Sequence, residues 1–295
     1  HLFYWMGIEI LNVKLALQGN LISFIESPIY ILPNQIDNLD KNHYLKLNQN
    51  DKNCIDQNLI PTFGEILNIP LRDRNFIYFK STSYNRSRSS IISMNNQIYI
   101  IGGKDGRCYL AFCERYDPST DQWDKLAPLN KARSNALLVV KNEMIFAISG
   151  ESEDGETRLV ERYDAKRNSW EILPELNKPR LASSAVSYCG NIWVIGDSYN
   201  LEIYDSIEIL SNSENGWVEP PFTLTSKRAR HTSIVHQKIL YNFGGYDGRR
   251  FLNTIEKYKP EDEIFVLLEN NHLLKARSRS SICCSNGEIY IFGGF

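Results

Sequence analysis

The chain has 295 residues, of which 42% are hydrophobic and 23% charged, the composition of a folded globular protein and not of a disordered or collagen-like one. That length allows one large domain or two modest ones, each with its own core. Lys and Arg number 33 against 35 Asp and Glu, for a formal charge of -2, so the chain lacks the basic excess expected of a nucleic-acid binder.

In chain order, the apolar opening is broken by Glu9, Asn12 and Lys14, too early for a membrane span. Leu21, Phe24 and Ile25 are spaced for one helical face. After Pro28 a second helix-like stretch follows around Ile36 and Leu39, and Asp51 can cap a short helix bearing Cys54, Ile55 and Leu59. Residues 1–60 are therefore predicted to be helical. Pro61, Gly64, Pro70 and Arg72-Asp73-Arg74 mark a connector over 61–75, and Phe76-Ile77-Tyr78-Phe79 opens a β region that runs to 295.

From Arg86 onward one unit recurs. Its Arg returns at Arg86, Arg133, Arg180, Arg228 and Arg277, at spacings of 47, 47, 48 and 49. Sixteen residues after each Arg, a β-rich run ends in a small pair: Gly102-Gly103, Ser149-Gly150, Gly196-Asp197, Gly244-Gly245 and Gly293-Gly294. A Glu column follows (Glu114, Glu161, Glu208, Glu256), and nine residues beyond each Glu comes Trp123, Trp170, Trp217 or Phe265. The apolar runs, such as Gln97–Ile101 and Glu288–Phe292, are too short for helices. Asp105-Gly106, Asp154-Gly155 and Asp247-Gly248 are hairpin-turn signals. A small sheet repeated this way cannot bury both faces alone, so neighbours must stack on it. Radial stacking makes a β-propeller with the Trp column between blades.

The Arg, the Gly-Gly after an apolar strand, the Glu-x-Tyr-Asp text (Glu114 to Asp117, Glu161 to Asp164) and the Trp together resemble the kelch repeat over roughly residues 86–295. Units are expected at about 86–132, 133–179, 180–227, 228–276 and a partial 277–295. The chain starts at His1 and stops at Phe295 directly after a Gly pair. It is read as a fragment bearing an incomplete propeller of about four full blades and a partial one. With kelch repeats following, Ser27-Pro28, His43-Tyr44-Leu45 and Cys54 resemble the C-terminal portion of a BACK domain, which places the chain near the kelch-like (BTB-BACK-kelch) family.

That resemblance implies a substrate-recognition adaptor of a cullin-RING ubiquitin ligase. The propeller loops would hold a protein target and the regions largely missing here would engage the cullin. An actin-binding cytoskeletal role is the alternative. The resemblance also places target contacts at the two residues after the repeat Arg and at the residue after the Gly pair. The candidates are Ser87, Arg88, Lys104, Ser134, Asn135, Arg230, Tyr246, Ser278 and Arg279, with Leu181 and Ala182 supplying shape only. Arg88, Arg230 and Arg279 can clamp a carboxylate or phosphate, which favours an acidic peptide motif, although the acidic loop Glu151, Glu153, Asp154 and Glu156 makes the face mixed.

Catalysis finds little support. The five His do not form a ligand cluster, and no nucleotide-binding or hydrolase motif appears. A kelch-type copper oxidase is the remote alternative. No catalytic residue, metal, cofactor, nucleic acid or membrane partner is expected. The six cysteines lack zinc spacing and read as reduced thiols of a cytoplasmic protein. The lone sequon Asn85-Arg86-Ser87 matters only in a secreted one.

Overall fold

A computed structural model of the chain describes residues 14–17, 20–23, 82, 85–199, 202–213, 215–285 and 287–295. Near the N-terminus β1 (Lys14–Leu17) pairs antiparallel with β2 (Asn20–Ser23), with Leu17 opposite Asn20. Leu21, expected on a helical face, is therefore in a strand. Two runs of four residues either side of Gln18-Gly19 are long enough for a hairpin and too short for helices. Phe24, Ile25, the stretch around Ile36 and Leu39, the helix after Asp51, the connector and Phe76–Phe79 lie outside the described residues.

From Arg86 the chain lays down successive antiparallel meanders. The first is β3 (Ser90–Met94), β4 (Gln97–Ile101), β5 (Cys113–Asp117) and β6 (Gln122–Leu126). The second comprises β7 (Leu137–Lys141), β8 (Met144–Ile148), a small hairpin of β9 (Glu151–Ser152) and β10 (Gly155–Glu156), then β11 (Val160–Asp164) and β12 (Ser169–Leu173). The third is β13 (Ser184–Tyr188), β14 (Asn191–Tyr199), β15 (Glu202–Leu210) and β16 (Trp217–Val218). The fourth is β17 (Thr232–His236), β18 (Ile239–Phe243), β19 (Thr254–Lys259) and β20 (Ile264–His272), and β21 (Ser281–Ser285) with β22 (Glu288–Phe292) makes a two-stranded fifth.

Local sequence explains the turns and the register. Asn95 and Asn96 join β3 to β4 with φ of 52° and 59°, and Asn142-Glu143 and Gln237-Lys238 do the same in later blades. Positive φ at both central residues gives the turn whose twist matches the flanking strands. The aromatic nine residues beyond each Glu pairs across the strands with the residue two after that Glu. Tyr116 faces Trp123, Tyr163 faces Trp170 and Tyr258 faces Phe265, with ring centres 4.9, 5.1 and 5.2 Å apart. In the third blade Leu210 takes the Tyr position opposite Trp217. Such pairs each stabilise a sheet by about 0.2–1 kcal/mol.

The cores lie between blades. One packs Tyr99, Ile101 and Cys113 of the first blade against Ile145, Ala147 and Tyr163 of the second. The next joins Phe146, Ile148 and Val160 to Ile192, Val194 and Trp217. A third joins Trp193, Ile195 and Ile207 to Leu240, Tyr258 and Phe265. The indole N–H groups of Trp170 and Trp217 donate across these seams to the Ala127 and Pro174 carbonyls, each at 2.9 Å. The Trp column is thus structural, with its one polar atom satisfied by the preceding blade.

The Arg and Glu columns meet as buried ion pairs, one per complete blade: Arg86 with Glu114, Arg133 with Glu161 (2.9 Å), Arg180 with Glu208 (2.8 Å) and Arg228 with Glu256 (3.2 Å). Glu161, Glu208 and Glu256 also accept from the backbone N–H of Asn130, Asn177 and Thr225, on the link arriving from the blade before. Each carboxylate therefore ties its own blade to the incoming chain, which is why it recurs.

Cys108, Cys113, Cys189 and Cys284 carry no disulfide. No helix among the described residues is long and apolar enough to cross a membrane.

Candidate channel-mouth site

The innermost strands β3, β7, β13, β17 and β21 lie side by side, and the residues just before them meet at one mouth. In every blade but the third, the first residue after the repeat Arg forms two backbone hydrogen bonds with the residue after the small pair: Ser87 with Lys104 (2.8 Å), Ser134 with Glu151 (2.9 Å), Ala229 with Tyr246 (2.9 Å) and Ser278 with Phe295 (3.0 Å). The second residue after the Arg turns the chain toward the axis. Arg88, Asn135, Arg230 and Arg279 have φ of 54°, 54°, 53° and 57°, a left-handed conformation in which single residues reverse the chain locally. Neighbouring blades are stitched there: Asn135 N–H donates to the Arg88 carbonyl (2.9 Å), Arg230 to Ala182 (2.6 Å) and Arg279 to Arg230 (2.8 Å).

The result is a cavity of about 1150 Å³ whose wall includes Arg88, Asn135, Arg230, Tyr246 and Arg279. Five of the nine sequence-predicted residues therefore share one space, although they are spread over nearly two hundred residues of chain. The other four do not line it. Ser134 and Ser278, at 1% and 2% exposed, are buried behind the wall. Ser87 hands its hydroxyl to the Lys104 carbonyl (3.2 Å), and the Lys104 ammonium stands over the Tyr109 ring, 4.4 Å from its centre.

Charge around the mouth is uneven. Arg88 reaches Glu151 at 3.4 Å in a half-exposed pair. The Arg279 side chain is exposed and has no partner among the described residues. Leu181, Ala182, Tyr199 and Ile203 of the third blade supply a less polar sector, while Glu156 joins the wall from the second. Burial, with the Glu151 charge adding to it, raises the Glu156 carboxyl above its ordinary value. Glu156 belongs to the acidic loop expected at this face; Tyr199, Ile203 and His231 were not foreseen as part of it. His231 was legible as a break in a column that otherwise reads Ser89, Ala136, Ser183 and Ser280. Tyr199 and Ile203 arrive only because β14 and β15 run on to nine residues each.

That extension follows from the Gly196-Asp197 departure. The buried Asp197 carboxylate accepts from the Ala182 N–H at 2.9 Å, replacing the backbone pairing made in the other blades, and the ladder shifts between Ile195 and Asp197. Burial pushes this carboxyl up from 3.8 to about 6, against the pull of the Ala182 and Ser198 N–H groups. Between those two values the folded chain holds a proton that the unfolded chain has released, so stability falls as pH rises through that window and stays low above it. Asp197→Asn keeps the acceptor oxygen without the charge. We expect it to raise the unfolding free energy by about 1–3 kcal/mol at neutral pH and to change little below the unfolded value, as read from urea midpoints at both ends of the range.

Among the described residues no three His, Cys, Asp or Glu side chains form a group able to hold a metal ion.

A Kelch motif model matches residues 85–130 and 227–270, the first and fourth blades; the second and third, which carry Ser149-Gly150 and Gly196-Asp197, share the same meander. Kelch domain-containing protein 1 of Homo sapiens is 34% identical over 84 residues, covering 25% of this chain and 20% of that protein. Kelch repeat protein M-T8 of Myxoma virus (strain Lausanne) is 24% identical over 212 residues, covering 69% and 40%. Kelch-like protein 35 of Mus musculus is 39% identical over 51 residues, covering 17% and 9%. The chain thus spans less than half the length of these relatives. In architecture it is similar to the solved structure of YjhT, with a TM-score of 0.60 and 14% identity over 71% of this chain and 77% of that one. The blades thus carry kelch repeats, matched directly in the first and fourth, in a β-propeller fold similar to that of the solved neighbour.

Proposed function

We propose that the chain is a non-enzymatic protein-binding module that takes an acidic peptide segment of its partner at the channel mouth. The observation behind this reading is the convergence of Arg88, Arg230, Arg279, Asn135 and Tyr246 on one cavity. Guanidinium groups bind carboxylates in a bidentate way, Tyr246 offers a rigid amphipathic contact, and rigid sheets hold both in place. Arg88 already faces Glu151, so the exposed Arg279 is the stronger anchor. The narrower role, recognising substrates for a cullin-RING ubiquitin ligase, rests on the kelch-like resemblance and on the N-terminal text similar to a BACK domain.

Fluorescence polarisation of the full chain with labelled acidic, neutral and basic peptides of equal length tests the mouth. The acidic peptide should bind best, and Arg230→Ala with Arg279→Ala should weaken it by roughly tenfold or more without changing the melting temperature. Equal binding of all three peptides, or an unaffected double variant, overturns the reading. Filament cosedimentation that survives the same substitutions would favour the actin-binding alternative.

A further inference from the structure

We propose that the third blade's sector of the mouth is an apolar subsite. The partner peptide carries a bulky aliphatic or aromatic side chain for it, about two to four residues from the acid taken by Arg279. The inference rests on the acidic-peptide reading of the mouth and adds to it a second, uncharged determinant.

The third blade departs from the others at the positions that form the wall. The first residue after the repeat Arg is Ser87, Ser134, Ala229 or Ser278 elsewhere but Leu181 here. The second is Arg88, Asn135, Arg230 or Arg279 elsewhere but Ala182 here. Beyond the buried Asp197, β14 and β15 continue as a ladder, with Ser198 opposite Ile203 and Tyr199 opposite Glu202. That continuation brings Tyr199 and Ile203 onto the same wall as Leu181 and Ala182. It is braced against the fourth blade. A Cβ on Gly248 would stand 3.3 Å from the Ile203 Cγ1, and the Gly248 carbonyl accepts from the Tyr246 hydroxyl at 2.9 Å. Ile203, the Gly248 turn and Tyr246 are therefore continuous.

Leu181, Ala182, Tyr199, Ile203 and Tyr246 are each partly exposed, so a ligand in the cavity reaches them. Covering a concave apolar wall releases the water on it, which favours an apolar group there. Charge fixes where the acid lies relative to this wall. Glu156 flanks the sector on the second-blade side, close enough to act on the Asp197 carboxyl, and repels an acid there. The Arg230 side chain has an interaction of its own, which leaves the exposed Arg279 of the fifth blade. Backbone links set the span. Arg230 N–H donates to the Ala182 carbonyl at 2.6 Å and Arg279 N–H to the Arg230 carbonyl at 2.8 Å, so Ala182 and Arg279 stand two strand spacings apart, about 10 Å. An extended peptide covers that span in about three residues at roughly 3.3 Å each, and side-chain reach widens it to about two to four.

The test is selection of random peptides displayed on phage against the full chain and against a variant combining Leu181→Ser with Ile203→Thr. The first change installs the residue found at Ser87, Ser134 and Ser278, and the second keeps a β-branched residue in the strand. On the wild-type chain, acidic residues should be enriched together with Leu, Ile, Met, Phe or Trp at a constant offset. On the variant the acidic preference should persist and the apolar preference should vanish, and a peptide selected on the wild type should bind the variant roughly tenfold more weakly. Replacing that peptide's apolar residue by Ser should weaken wild-type binding by the same factor and leave binding to the variant unchanged. Persistence of the same apolar preference on the variant, or acidic enrichment on the wild type with no apolar companion, overturns the subsite while leaving the acidic-peptide reading intact. Absence of acidic enrichment on the wild type overturns both. If the double variant loses its cooperative melting transition, Leu181→Ser alone carries the same comparison.

Discussion

Glu208→Leu is expected to lower the unfolding free energy by about 3–5 kcal/mol, among the largest effects of any single substitution in the described blades. Glu208 and Arg180 are 0% and 1% exposed in their side chains and meet at 2.8 Å. The guanidinium also donates to the Gly196 carbonyl (2.9 Å), the Ser206 carbonyl (3.1 Å) and the Ser206 hydroxyl (3.0 Å), while Glu208 accepts from the Asn177 N–H at 2.7 Å. Removing the carboxylate leaves a buried cation without a counter-charge and an orphaned N–H on the incoming link. Coulomb attraction does not by itself set the magnitude; the uncompensated charge left behind does. Combining Arg180→Met with Glu208→Leu should therefore restore much of the loss. As a control, Arg162→Ala, which breaks the exposed pair with Glu171, should cost no more than about 1 kcal/mol. Urea unfolding of the four proteins decides the matter, and a double variant no more stable than Glu208→Leu would show that shape, not charge, governs the site.

Gly244→Ala should be similarly damaging, by about 2–5 kcal/mol, from a left-handed backbone penalty and overpacking acting together. Its φ is +60°, and a Cβ there would stand 2.4 Å from the Arg277 carbonyl of the following blade. That oxygen already accepts from the Gly245 N–H at 2.8 Å, so it cannot move without breaking the link between blades. Gly102 and Gly196 face the same obstacle, at 2.3 Å from Arg133 and 2.4 Å from Arg228. Gly155 separates the two causes. Its φ is +95°, yet a Cβ would meet nothing within 4 Å, so Gly155→Ala should cost only about 1–2 kcal/mol. If the two variants melt alike, backbone conformation accounts for the whole effect and close blade spacing for none of it.

The comparison of these glycines shows how much was written in the chain. The Gly pair signals a place where ordinary side chains do not fit, but the obstacle is a carbonyl from the next repeat, some thirty residues away in the chain. Likewise the Glu column was recognisable as structural because it recurs. Its pairing with an Arg 28 residues earlier in each blade was not, since neither residue type says that both will be buried. The second position after the Arg lines the cavity in every blade, the first only at Leu181 and Ala229. The chain reads the same at both, Ser87-Arg88 and Ser278-Arg279.

By itself the sequence determined the repeated blade from Arg86 onward and its apolar strands, because these depend on neighbours within one unit: an apolar run, a turn residue, an aromatic at a fixed spacing. Tertiary structure decided what the mouth is made of. The left-handed turn at Arg88, Arg230 and Arg279 and the buried Asp197 that lengthens one hairpin acquire their meaning only once separate units stand side by side. Proximity across blades is set by backbone geometry and exclusion of water, and no local pattern encodes it.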